Sequence, residues 1–374
     1  VTGDEGAARR ALRGFAIEGE LVRLARSGSG HIHQTFLARL RARSGPPVRF
    51  VLQRLNAEVF PDIPAVMENL RRVTAHQRRK LAEEGERDPE RRHLRLVPAR
   101  EREGFRVDED GSAWRAFHFV EQSRSHDVVG RPSQAREAAR AFARFAAQLA
   151  DLDGPPLADT IPRFHDLAWR AEQLREAARE DACARARSVG RELATAEASV
   201  EWADAELGAG GLASLPRRIA HNDCKINNVL FDEASDEALC VIDLDTVMEG
   251  TLLADFGELV RTSTCRSPED EVCLDAMRVE PELYRAVAEG YLEGARDLLR
   301  PEELALLPLA GPLLALENAL RFLADDLRGD TYFRVSRPRH NLDRARAQLR
   351  LFELLRAELG SAGELVAAAR GARR

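Results

Sequence analysis

The chain has 374 residues, a mass of 41.6 kDa and a formal net charge of −6, long enough to bury a large core in one or two domains. Its 44% hydrophobic and 32% charged residues suit a soluble globular protein, and acid and base interleave without the concentrated basic face of a nucleic-acid binder. No run of about 18 apolar residues is present to span a membrane. No basic segment followed by an apolar stretch marks a signal peptide. The cysteines (Cys183, Cys224, Cys240, Cys265 and Cys273) include no Cys-x-x-Cys pair, which argues against a disulfide framework or zinc cage. The expectation is a cytoplasmic protein with a small-molecule substrate and no nucleic-acid, membrane or obligate protein partner.

In chain order, segments 21–26, 34–41 and 48–55 alternate as strands, and Gly45-Pro46-Pro47 marks a turn between the last two. Pro61-Asp62 opens a helix with Ile63, Val66, Leu70 and Val73 at helical spacing. Segments 94–99 and 105–108 are expected strands. An acidic turn at 108–111 leads to another at 113–120, where Arg115, Phe117 and Phe119 alternate with Ala116 and His118. This predicts a sheet of about five strands with one helix inserted after the third.

Beyond Gln122 the period becomes helical. Residues 135–152 carry Phe142, Phe145, Leu149 and Leu152 on one stripe and stop at Asp153-Gly154-Pro155-Pro156. A second helical stretch covers about 164–206, and strands at 228–232 and 238–243 form a pair. Helices fill the rest, broken near 266–270 and 328–338. The fold class is therefore α+β, with a sheet-rich lobe over residues 1–120, a larger helical lobe over 121–374, and a nucleotide-sized cleft between them.

The strongest chemical signal is the run His221-Asn222-Asp223-Cys224-Lys225-Ile226-Asn227-Asn228, followed by Val241-Ile242-Asp243-Leu244-Asp245. Phosphoryl transfer asks a protein for a carboxylate to take the proton of the attacking hydroxyl and for oxygen ligands to Mg²⁺. Asp223 meets the first need, and Asn228 and Asp243 meet the second. Lysine occurs only at Lys80 and Lys225, so a lysine inside this motif stands out against an arginine background. Lys225 suits contact with a γ-phosphate, and His221 suits bracing of the loop.

These two phrases resemble the H-x-D-x-x-x-x-N and I-D-x-[DE] patterns of the aminoglycoside phosphotransferase and choline kinase superfamily. The resemblance implies a protein-kinase-like bilobal fold, ATP and Mg²⁺ as cofactors, and Asp223 as catalytic base. It also implies a phosphate-covering loop over 26–36, where Gly28 and Gly30 would bring backbone amides to the phosphates and His33 stands where a third glycine is expected. An Arg54–Glu68 pair would address the α- and β-phosphates, although Glu68 lies about 180° from the apolar stripe of its helix. Backbone groups at Glu121, the hinge, would hold adenine. Asp255-Phe256-Gly257 copies a magnesium triplet of protein kinases but follows the second phrase. By the resemblance, Asp255 is structural and ties down the catalytic loop.

More finely, the chain resembles N-acetylhexosamine 1-kinases. The matching phrases cover 51–56, 66–70, 222–231, 241–248 and 321–333, together with the Gly30-His31-Ile32 loop. That resemblance implies Arg321, Tyr332 and His31 as sugar contacts and an anomeric hydroxyl as acceptor. Two alternatives stay open: another kinase of the superfamily, acting on an aminoglycoside, choline or homoserine, and a non-catalytic nucleotide binder. A cationic acceptor predicts a cleft dominated by carboxylates, whereas a neutral sugar predicts mixed arginine, tyrosine and histidine.

Overall fold

The computed structural model describes residues 3–27, 32–42, 45–101, 104–208, 211–295 and 298–371. The first lobe runs α1 (Gly3–Leu12), β1 (Glu20–Arg26), β2 (Gln34–Arg41), β3 (Val48–Arg54), α2 (Ile63–Glu83), β4 (Arg106–Val107) and β5 (Ala113–His118). A short β6 (Ser123–Arg124) then leads to α3 (Pro132–Gln148), α4 (Leu167–Glu180), α5 (Gly190–Leu207), β7 (Arg218–Ala220), β8 (Val229–Asp232), β9 (Ala238–Val241) and β10 (Met248–Gly250). Five helices complete the chain: α6 (Leu252–Ser263), α7 (Pro281–Ala295), α8 (Pro301–Leu327), α9 (His340–Ala357) and α10 (Leu359–Gly371).

The expected five-stranded sheet is present, antiparallel, in the order β1-β2-β3-β5-β4. Segment 94–99 contributes only isolated bridges, Leu96 to Phe117 and Phe15 to Ala99, instead of a full strand. Because successive side chains alternate faces, Phe36, Ala38, Phe50, Leu52, Trp114 and Ala116 share one face. There they pack with Ala7, Ala8, Ala11 and Phe15, from α1 and just beyond it. The opposite parity, including Thr35, Val51, Gln53, Arg115 and Phe117, faces α2 and the helical lobe.

Helix α2 starts where Asp62 accepts the amide of Ala65, with Pro64 in the first turn. Its stripe of Ile63, Val66, Leu70 and Val73 is buried as spaced. The stretch expected as one helix over 164–206 is two. Asp181 adopts φ 41° at the end of α4, and its Oδ1 accepts the amides of Arg185 and Ala186 at 2.7 and 2.8 Å, which turns the chain before α5. Helix α8 is long and apolar enough to cross a membrane, but 78% of its most apolar window is buried inside the protein. Gly257 lets α6 approach it closely, since a Cβ there would stand 2.5 Å from the Ala310 carbonyl oxygen.

Candidate active site

The two sequence phrases meet in space. Strand β7 delivers His221-Asn222-Asp223, a 3₁₀ turn holds Ile226–Asn228, and β8 and β9 return the chain to Asp243. The Ile242 amide donates to the Asn228 carbonyl at 2.9 Å, setting Asn228 and Asp243 side by side.

The loop is held by its own buried polar groups. Asn222 has φ 63°, a left-handed conformation that must be held by its surroundings. Asp255 accepts the amides of His221 and Asn222 at 2.9 and 2.7 Å, so it anchors the loop. The Asn222 amide nitrogen donates to the Thr246 carbonyl at 2.9 Å, and the Thr246 hydroxyl donates to the His221 carbonyl at 2.8 Å. His221 donates through Nε2 to the Ile242 carbonyl at 3.0 Å, and Phe142 and Phe145 meet its ring edge-on.

Asp223 receives Lys225 Nζ on Oδ1 at 2.7 Å and Asn228 Nδ2 on Oδ2 at 3.0 Å. Burial works against its charge, but Lys225, His221 and Asn228 outweigh it and hold the carboxyl below its ordinary value. Burial likewise works against Lys225, while Asp223 and Glu258 raise it to about 12. Asp223 is thus an ionised acceptor at neutral pH. Asn228 spends its amide nitrogen on Asp223, leaving its Oδ1 to accept.

Asp243 adopts φ 61°, and its carboxylate has no hydrogen bond or ion pair with the described residues. Burial, then Asp245 and Asp223, push its carboxyl up. A half-buried, unpartnered carboxylate among like charges, next to a free amide oxygen, fits a hard divalent cation that keeps most of its other ligands from solvent or phosphate.

Two expectations for the sheet lobe fail. Arg54 donates to Ser112 Oγ at 3.0 Å and lies 3.7 Å from Asp110, on the face opposite α2 and the cleft. Glu68 forms a two-pronged pair with Arg71, at 2.8 and 2.7 Å. The pair does not form because Arg54 has the wrong strand parity and Glu68 the wrong helical azimuth. The cleft-facing residue of β3 is Gln53, whose Oε1 accepts Arg115 Nε at 2.9 Å. Arg115 in turn forks onto Asp245, with NH2 to Oδ2 at 2.7 Å and NH1 to Oδ1. On α2 the inward polar group is Asn69. It donates to Ala158 O at 2.8 Å and Val247 O at 3.3 Å and accepts the Ala158 amide at 3.0 Å.

Glu121 lies between β5 and β6 with its carboxylate on Arg49 and its carbonyl accepting Arg91 Nε at 3.0 Å, so both groups are engaged within the protein. Gly28, Gly30 and His31 lie outside the described residues. Beside the His221–Asn228 loop, His165 bridges the Asn222 carbonyl at 2.9 Å and Glu317 at 3.1 Å. Burial opposes its charge, yet Glu317 prevails and raises its pKa.

Arg321, one turn beyond Glu317 on α8, stands over the rings of Phe164 and Phe333 at 5.1 and 5.3 Å. Tyr332 is 57% exposed and meets Phe333 edge-on. Asp325 hangs this loop by accepting the amides of Thr331, Tyr332 and Phe333 at 3.0, 2.8 and 2.9 Å. Burial and the charge of Arg321 bring Arg170 down to about 10. Asn69, Arg115 and His165 lie outside the two sequence phrases. The only signals were an asparagine inside the buried stripe of a helix and an arginine alternating with phenylalanines in a strand.

The fold has solved counterparts. An aminoglycoside phosphotransferase from Alicyclobacillus acidocaldarius matches with a TM-score of 0.56 and 14% identity, over 96% of each chain. A choline kinase from Cryptosporidium parvum matches at 0.53 and 13%, over 98% of this chain and 99% of its own. An amicoumacin kinase in complex with AMP-PNP and Ca²⁺ matches at 0.56 and 10%, over 95% and 94%. At these identities the likeness is one of kinase-like fold. The sequence profile described as the phosphotransferase enzyme family matches residues 23–304, a span that holds both motif phrases, and the chain belongs to that family.

Proposed function

We propose that the protein is an ATP- and Mg²⁺-dependent small-molecule kinase that phosphorylates the anomeric hydroxyl of an N-acetylhexosamine. The acceptor class is carried by the side chains beside the catalytic loop. They are Arg170, Arg321, Tyr332 and the rings of Phe164 and Phe333, and the carboxylates among them are each engaged: Glu317 by His165, Asp166 by Arg163, and Asp325 by the amides of Thr331, Tyr332 and Phe333. Such a wall repels a cationic aminoglycoside or choline and offers a neutral sugar stacking surfaces and hydrogen-bond donors.

Asp223 accepts the proton of the attacking hydroxyl at its carboxylate, held for that task by Asn228 and Lys225. Lys225, paired with Asp223, would meet the transferred phosphate's charge while its partner carboxylate turns to the acceptor. Asn228 and Asp243 would hold Mg²⁺, which when bound offsets charge on the β- and γ-phosphate oxygens. A nucleotide analogue and a divalent ion in the amicoumacin kinase support the same cofactor class here.

The test is ATP and Mg²⁺ with a panel of amino sugars and aminoglycosides, the new phosphate located by ³¹P NMR. A sugar 1-phosphate is expected, and turnover of aminoglycosides or choline without any hexosamine overturns the acceptor assignment. Asp223→Asn should lower kcat by about 10²- to 10⁴-fold with the fold intact by circular dichroism. Full activity in that variant refutes the role of the base.

A further inference from the structure

Asp245 is two residues beyond Asp243 but belongs to a different set of contacts. Its side chain is 2% exposed, as is that of Arg115. Both prongs of the Arg115 guanidinium, from β5, meet its two oxygens. His33, just before β2, adds Nε2 to Oδ2 at 2.6 Å. The Asn56 amide donates to His33 Nδ1 at 3.1 Å, which leaves the ring proton on Nε2, facing Asp245. Gln53 holds Arg115 Nε from one side and donates to Thr35 Oγ1 at 3.2 Å on the other. The Thr160 hydroxyl donates to the Asp245 carbonyl at 2.6 Å.

Every side chain that grips this carboxylate comes from the sheet lobe, whereas Asp245 rides on the segment that carries Asp243. Simple glue between lobes is made more cheaply from apolar side chains, because burying charges costs solvation. A forked guanidinium on a carboxylate instead fixes distance and plane together.

We propose that the Arg115–Asp245–His33 clasp is the positioning device of the nucleotide cleft, setting Asp243 against the sheet lobe through Asp245. The expected Arg54–Glu68 pair does not form, and neither residue takes part in the clasp. Arg115 and His33 are positioning residues, and their role rests on Asp223, Asn228 and Asp243 forming a magnesium-nucleotide site, as proposed above. His33 thereby explains the missing third glycine of the phosphate-covering loop, since a glycine there could not reach Asp245.

The test uses the full chain and a fluorescent ADP analogue titrated with and without Mg²⁺. The double variant Arg115→Met/Asp245→Asn removes both buried charges and should melt near the wild type. Its magnesium-dependent nucleotide affinity should fall about 10- to 100-fold, the range for partners that orient metal ligands, with a smaller change in metal-free affinity. Arg115→Lys, which keeps the charge but loses the fork, should lose affinity in the same direction. With a working acceptor, the KM for ATP should rise while that for the acceptor stays unchanged. Wild-type magnesium-nucleotide affinity in either folded variant overturns the proposal and leaves the clasp a structural ion pair. Absence of magnesium-dependent binding in the wild type refutes the nucleotide site itself, before the clasp is at issue.

Discussion

Asp243 and Asp245 carry the same side chain in opposite electrostatic settings. Burial disfavours charge on both, but Arg115 and His33 overcome it at Asp245 and hold that carboxyl well below the usual range. Asp243 has no such partner, and Asp245 and Asp223 add repulsion that raises it. A carboxyl whose folded pKa is raised costs stability once it ionises, so above its folded pKa the charge on Asp243 works against the fold. Asp243→Asn should therefore raise Tm by about 2 °C while lowering kcat by about 100-fold or more. A variant that is both less stable and fully active would sink the assignment of Asp243 as cation ligand. At this scale the sequence is informative where partners are near neighbours: Asp223 and Asn228 sit in one loop, and the β8–β9 hairpin returns the chain to Asp243. It failed where partners are remote. Arg115 meets Asp245 across 130 residues, and Arg54 stands one residue from the cleft-facing Gln53, enough on a strand to put a side chain on the wrong face.

Single side chains also decide how whole segments sit. Asp325, on α8, takes three successive amides of the loop after that helix and also accepts Asn341 Nδ2 at 2.8 Å. Asp325→Ala leaves the three loop amides without an acceptor, at a cost of about 3 kcal/mol, measurable by urea unfolding. The acceptor KM should rise with it, because Tyr332 and Phe333 lose their anchor. His165 ties the segment before α4 to α8 and to the His221–Asn228 loop. Its folded pKa is raised by Glu317, so its contribution to stability is complete below about pH 6.5, the unfolded value. It declines as pH rises through the folded value. Urea midpoints between pH 6 and 9 should fall more steeply in the wild type than in His165→Gln, and parallel curves would exclude the ion pair. Strand alternation and helical spacing made most elements legible. Helix α1 went unread because its small apolar residues, Ala7, Ala8 and Ala11, give a weak stripe. The break at Asp181 went unread because nothing local distinguishes an aspartate that caps a turn from one on a helix surface.

The change from strand alternation to helical period near residue 120 made two lobes legible, but periodicity reports which face is apolar and not what covers it. In the structure Phe60, Val66, Leu70 and Phe117 belong to the same apolar cluster as Phe142, Val241 and Leu316. The main core therefore runs through the boundary, and the separate cluster is the one between α1 and the outer face of the sheet. Residues 1–120 alone would leave much of the α2 stripe uncovered. Each such side chain is worth about 1.5–3 kcal/mol when fully buried, and losing half of Phe60, Ile63, Val66, Leu70 and Val73 removes about 4–8 kcal/mol. That is comparable with the whole stability of a small domain, about 5–15 kcal/mol. A fragment of residues 1–120 should thus bind a dye for exposed apolar surface and show no cooperative thermal transition by circular dichroism, whereas the full chain melts cooperatively. A sharp, two-state transition in the fragment would mean that the sheet lobe is a domain in its own right. The clasp at Asp245 and the buried face of α2 would then join two finished units instead of completing one.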